Sequence, residues 1–145
     1  VHKLRILIAD DFAEFRRSFG DALESQRGIA VVGRAKDGLE AVSMAKILKP
    51  DVIFLDISMP RMGGVEASMQ IKSEMPEVKI YFVTVHDERT FEALGEICDV
   101  DGFLSKNSLQ EALPRVVAGL QHPVKQVEVP PVATHHDRTT GHPIA

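Results

Sequence analysis

The chain has 145 residues, enough for one domain with a single core, and its 44% hydrophobic and 26% charged content is that of an ordinary globular protein. A formal net charge of −4 gives no support for nucleic-acid binding by bulk charge. No apolar run has membrane-spanning length, no signal-peptide pattern opens the chain, and the single cysteine, Cys98, cannot form an internal disulfide, so a cytoplasmic, reducing setting is expected.

Taken in chain order, short apolar runs alternate with segments of helical period. Strands are predicted at Leu4–Ala9, Ile29–Gly33, Val52–Leu55, Lys79–Val83 and Gly102–Leu104. Their nearly continuous apolar character suits strands covered on both faces. Between them, Phe12, Phe15, Phe19 and Leu23 recur at helical spacing, as do Ala41, Val42, Ala45 and Leu48. Asp37 with Glu40 reads as the start of that second helix, and Pro50 as its stop. Val65, Met69 and Ile71 mark a third helix, and Phe91, Leu94 and Ile97 a fourth. Ser108 with Glu111 reads as a capping box for a fifth, which reaches about Leu120. Pro114 lies inside it, removes one backbone donor and is expected to kink it.

The order βαβαβαβαβα predicts an α/β fold, a doubly wound five-stranded parallel sheet with helices on both faces. The leading strand order is 2-1-3-4-5, the flavodoxin-like arrangement, whose ligands sit beyond the carboxyl ends of the strands. Residues 1–121 form this domain. From His122 to Ala145 the apolar period stops, and the Pro-, Thr- and His-rich segment reads as a flexible tail or truncated linker. His135, His136 and His142 in it are far more readily a solvated stretch than a metal site.

The strand ends carry the chemistry. Strand one ends in Asp10 and Asp11, strand three in Asp56, strand four in Thr84 and strand five in Lys106. In the 2-1-3-4-5 order these four strands are contiguous, so the five side chains converge. Each has a plain structural reading taken singly: Asp11 with Glu14 fits a helix cap, Asp56 a turn toward Pro60, Thr84 a cap and Lys106 a surface lysine. All five at the correct ends of the correct strands favour a site. Three neighbouring carboxylates repel one another and invite a hard divalent cation such as Mg²⁺. A hydroxyl and an ammonium beside them can contact phosphoryl oxygens. Phosphoryl transfer to a carboxylate follows, with Asp56 the best nucleophile because its strand is central and its loop, DISMPRMGG, is glycine-rich.

Through ILIADD, KPDVIFLDISMPRMGG, IYFVTVHDE and DGFLSK, the chain resembles the receiver domain of bacterial two-component response regulators over Lys3 to about Leu120. VVGRAKDGLEAV and TVHDE are most similar to receivers of the LuxR-type subgroup, which carry a helix-turn-helix output domain. The resemblance implies that Asp56 accepts a phosphoryl group from a sensor histidine kinase or phosphotransfer protein. It implies that Asp11, Asp56 and the backbone carbonyl of Ser58 ligate Mg²⁺, with Asp10 acting mainly through a water. Thr84 and Lys106 would hold the phosphoryl oxygens, and Phe103 takes the place of the switch aromatic, turning inward as Thr84 moves. Such a chain is a phosphorelay switch that assists its own Mg²⁺-dependent phosphotransfer and dephosphorylation rather than an enzyme with a separate substrate. A homodimer is a further implied partner; no direct nucleic-acid binding by this chain and no membrane are expected. The tail is then either the end of a stand-alone receiver or the linker toward an output domain that was removed. Asn107 stands where many receivers have Pro, which makes a trans bond after Lys106 the expectation. Asp99 stands where the family usually has Gly, and Asp tolerates the left-handed conformation better than most residues.

Three other readings fit less well. Aspartyl-phosphate phosphohydrolases carry the nucleophile after strand one in a DxD arrangement, whereas Asp10 and Asp11 are adjacent. A flavin carrier of the same fold needs a hydroxyl- and glycine-rich phosphate loop after strand one, where ADDFAEF would repel a phosphate. A receiver-like scaffold that is never phosphorylated has no need of Asp56, Thr84 and Lys106 together.

Overall fold

The computed structural model describes residues 2–85 and 88–122. Five strands, β1 (Leu4–Ala9), β2 (Ile29–Ala35), β3 (Val52–Asp56), β4 (Lys79–Thr84) and β5 (Gly102–Ser105), alternate with α1 (Ala13–Glu24), α2 (Gly38–Leu48), α3 (Gly64–Glu74), α4 (Glu88–Gly95) and α5 (Leu109–Gln121). The sheet is parallel in the order β2-β1-β3-β4-β5, as expected. Alternate side chains feed two cores. Ile6, Ile8, Phe54 and Val83 pack under α1 and α5, while Leu7, Ile53, Phe82 and Phe103 pack under α2, α3 and α4. This two-sided burial is why the strands read as apolar runs rather than as an alternation. Among the described residues no helix is long and apolar enough to cross a membrane.

Four strands run one or two residues past their predicted ends. Asp56, Thr84 and Ser105 remain in the ladder, Asp56 opposite Val83 and Thr84 opposite Ser105. Strand β2 shifts register between Ile6 and Leu7 of β1 and continues to Ala35, whose carbonyl accepts the Asp10 N–H at 3.0 Å. The start and stop of α2 are as read. Asp37 Oδ1 accepts the Glu40 N–H at 2.8 Å, and Lys49 at φ 48° ends the helix just before Pro50.

Several helical details differ. Phe12, Met69 and Ile97 are exposed; Phe12 precedes α1 and Ile97 follows α4, while Ala67, Ser68 and Ile71 form the buried stripe of α3. Ser108 makes no side-chain cap, because its ψ of 11° lacks the extended geometry that aims a capping hydroxyl. Helix α5 runs through Pro114 as one element, and Pro114 sits on its exposed side, where water can serve the carbonyl its ring leaves without a donor. Among the described non-glycine residues only Lys49 and Arg61 have positive φ, so Asp99 is not left-handed. The entry to β5 is held instead by Asp101, whose Oδ2 accepts the Ile80 N–H at 2.8 Å and pairs with Lys72 Nζ at 3.2 Å. The bond after Lys106 is trans. The tail reading, with His135, His136 and His142, lies outside the described residues apart from His122.

Candidate functional site

The register of β1 and β3 pairs Ala9 with Leu55, so the next residues, Asp10 and Asp56, emerge side by side at the same end of the sheet. Asp10, Asp11 and Asp56 each bring one carboxylate oxygen to within 4.8 Å of the others. Asp10 is 1% exposed and Asp56 is buried, whereas Asp11 faces solvent. Asp10 Oδ1 accepts the Phe12 N–H at 2.9 Å, which turns the chain into α1. The cap reading of Asp11 therefore does not apply: Phe12 is the N-cap of α1, and no side chain caps it.

From β5, Lys106 reaches Asp10 Oδ2 at 2.7 Å and Asp56 Oδ2 at 3.8 Å. Its side chain is 16% exposed, which sets aside the surface-lysine reading. The backbone fixes this reach, because the Lys106 N–H donates to the Thr84 carbonyl at 2.9 Å. Thr84 is 1% exposed at the end of β4, beside the strand that ends in Asp56. Asp10 Oδ2, though ion-paired, is buried without a hydrogen bond of proper geometry. A buried carboxylate oxygen normally has such a partner. Three converging carboxylates and one under-satisfied oxygen form a hard-oxygen donor set that suits Mg²⁺.

Burial raises the Asp56 pKa from 3.8 to about 6, reinforced by Asp10 and, less, by Asp11; Lys106 and the Ile57 backbone N–H pull it down. Asp56 is thus ionised at neutral pH yet more basic than an ordinary carboxylate, which suits a nucleophile.

The loop from β3 to α3 sets the attitude of Asp56, and most of its supports have no sequence pattern. Gly64 donates its N–H to the Ile57 carbonyl at 2.8 Å, and a Cβ at residue 64 would collide with the Asp56 carbonyl oxygen. Gly38 donates to the Met62 carbonyl at 2.9 Å and likewise has no room for a Cβ. Arg61, at φ 66°, places its Nε 3.1 Å from Oδ2 of the buried Asp37. One carboxylate thereby caps α2 and ties down the loop. The Asp37–Glu40 spacing was readable; its partnership with Arg61 was not. Ser58 lies exposed in this loop, two residues beyond Asp56. Phe103 is already buried, its ring 5.0 Å from that of Phe91 and 5.6 Å from that of Phe82. The expectation of a ring that starts outside and turns inward does not describe this structure, because these two rings make burial favourable from the start.

The response regulator receiver domain family matches residues 6–118. The transcriptional regulatory protein YxjL of Bacillus subtilis is 37% identical over 111 residues, which are 77% of this chain and 51% of that protein. The response regulator domain of Thermotoga maritima CheB is 34% identical with a TM-score of 0.72, covering 83% of this chain and 95% of that one. A LuxR-family two-component response regulator from Aurantimonas sp. SI85-9A1 shares the fold at a TM-score of 0.81 and 24% identity, over 95% of this chain and 98% of that one. The chain spans about half the length of the curated relatives it matches.

Proposed function

The chain belongs to the response regulator receiver domain family, whose work is phosphorylation-dependent signalling, and from that premise we propose that Asp56 is its phosphoacceptor. The observation that carries the assignment is the meeting of three carboxylates within 4.8 Å, with the Lys106 ammonium 3.8 Å from Asp56. An Asp56 oxygen attacks the phosphorus of a histidine kinase's or phosphotransfer protein's phosphohistidine. The P–N bond breaks, its electron pair returns to the imidazole, and the imidazole takes a proton from solvent. Lys106 balances charge on the phosphoryl oxygens, and the Thr84 hydroxyl donates to one of them. Asp10, Asp11, Asp56 and the Ser58 carbonyl would hold Mg²⁺, directly or through water. Bound there, Mg²⁺ supplies neutralisation of the phosphoryl charge.

The same reading makes residues 1–121 the receiver unit, of the LuxR-type subgroup, working in the cytoplasm and handing the signal to a partner or an output domain. It assists its own phosphorylation and dephosphorylation and has no other substrate. The test is intact mass after incubation with acetyl phosphate. One phosphoryl group is expected with Mg²⁺ and none with a chelator, since the acidic pocket then repels the donor. Equal labelling in both would remove the cation from the reading.

The switch follows from Thr84 and Phe103. A phosphoryl group on Asp56 adds charge and acceptor oxygens that draw the Thr84 hydroxyl. Thr84 ends the strand that leads into α4, and Phe103 stacks on Phe91 of α4, so the aromatic contact is the route to the surface of α4, β5 and α5. With Phe103 already inside, phosphorylation shifts the balance between packings rather than creating a new one. NMR with a beryllofluoride mimic and Mg²⁺ is expected to move resonances at Phe91 and Phe103, and Thr84→Ala to shrink those changes. Shifts confined to the loops of Asp10, Asp11 and Asp56 would leave a site without a switch.

A further inference from the structure

The Lys106 ammonium has a third neighbour, the Phe15 ring, whose centroid lies 4.4 Å from Nζ. An ammonium is attracted to an aromatic face at this distance, the more so when partly desolvated, as Lys106 is. The ring is itself fixed. It stacks on Phe19 one helical turn later, with centroids 5.3 Å apart and planes at 28°, and Phe19 meets Phe54 edge-on at 5.3 Å. Phe54 is in β3, two residues before Asp56. A line of rings thus connects the acceptor strand to the lysine. Beside Phe15 and Lys106, a groove of about 290 Å³ opens between α1 and α5, bordered by Ser18, Leu109 and Gln110. A flexible lysine stem next to open space needs a wall to keep its head over the carboxylates.

The geometry points to Phe15 as a positioning residue for Lys106: its ring holds the ammonium beside Asp56, ready for the phosphoryl oxygens. This rests on the reading of Asp56 as phosphoacceptor. A neutral ring suits the task better than another acid. Asp10, at 2.7 Å, is already the nearer carboxylate, and Asp56 is at 3.8 Å. A third carboxylate partner would draw the ammonium away from Asp56 and spend its charge before the phosphoryl group arrives. The ring restrains it without neutralising it. Sequence periodicity placed Phe15 on the apolar stripe of the first helix, and the structure gives it this second contact at the half-buried end of that stripe.

The experiment compares the full chain with Phe15→Leu, which keeps bulk against Phe19 but removes the ring, and Phe15→Tyr, which keeps the ring. NMR reads the ε-methylene protons of Lys106, which a ring at this distance shifts upfield. Acetyl phosphate with Mg²⁺ reads the maximal labelling rate. Phe15→Leu is expected to lose the upfield shift and to label about three- to tenfold more slowly, the range that a weak cation–π contact supports. Phe15→Tyr is expected to retain both. In a Lys106→Ala background, Phe15→Leu is expected to slow labelling no further. The proposal is overturned if Phe15→Leu leaves the Lys106 protons unmoved, if it labels at the wild-type rate, or if it slows the Lys106→Ala protein equally, which would mark a structural role. Absence of label on the wild-type chain would count against Asp56 as acceptor, while the Lys106 resonances would still decide whether Phe15 holds the lysine.

Discussion

Replacing Asp56 by Asn is expected to abolish labelling by acetyl phosphate and Mg²⁺ while making the metal-free protein more stable at neutral pH. The loss follows from chemistry: an amide oxygen is a poor nucleophile, and no other carboxylate in the cluster ends the central strand β3. The gain follows from electrostatics. Folding raises the Asp56 pKa from 3.8 to about 6, so the folded state disfavours the charged form. Below pH 3.8 the group is protonated folded and unfolded, and contributes nothing. As pH rises from there to about 6, the unfolded chain releases the proton first, and stability falls. Above that the penalty is constant, at most about 3 kcal/mol. Asn carries no such penalty. In a chelator, the melting temperature of Asp56→Asn is therefore expected to exceed wild type at pH 7.5, and the difference to close as pH falls toward 4. Wild-type labelling of the variant would put the acceptor elsewhere, and a pH-independent difference would mean that folding does not raise the pKa of this carboxylate.

The second large effect is expected at Gly64. A Cβ there would land on the Asp56 carbonyl oxygen and come within 3.0 Å of Ile57 Cα. Both obstacles are backbone, so no side chain can swing aside, and relief requires the first turn of α3 to part from the end of β3. Overpacking of this kind costs about 3 kcal/mol, for a fall in melting temperature of roughly 10 °C. Displacing the loop also moves Asp56, so labelling by acetyl phosphate should slow even where the protein is folded. Gly63→Ala is the control. Its Cβ would meet only the Ile57 carbonyl oxygen, at 3.1 Å, and it is expected to be much milder in both thermal melts and labelling. Equal effects at the two positions would mean that lost chain flexibility, not the collision at Asp56, is responsible.

These two residues mark how far the sequence could be read. Asp56 was legible because a charged residue closing an apolar run is conspicuous, and because the alternation of elements put its strand beside those ending in Asp10, Thr84 and Lys106. The strand ends were placed short for the same reason: a polar residue looks like the start of a loop, yet Asp56 and Thr84 still pair in the ladder. Helical period marked the third and fourth helices through Met69 and Ile97, yet both side chains are exposed, and the smaller Ala67 and Ser68 are buried. Long-range contacts between single residues left no trace in the sequence. Arg61 meeting Asp37, Gly64 lying against Asp56 and Phe15 under Lys106 each depend on how loops and helices close over the sheet, which no local spacing encodes.

The strand order has a consequence for the timing of synthesis. Asp56 is flanked in the sheet by β1 and β4, and Lys106 arrives directly after β5, the last of the five described strands to leave the ribosome. A nascent chain that has exposed Asp56 still lacks Thr84 and Lys106, and cannot close the sheet beyond β3. Chains lengthen at about 5–20 residues per second, so Asp56 waits seconds for Lys106 to follow it. Charging is therefore expected to wait for the finished sheet. A ribosome-bound chain stalled before residue 106 should refuse acetyl phosphate, and one stalled far enough past Gln121 for α5 to fold should accept it.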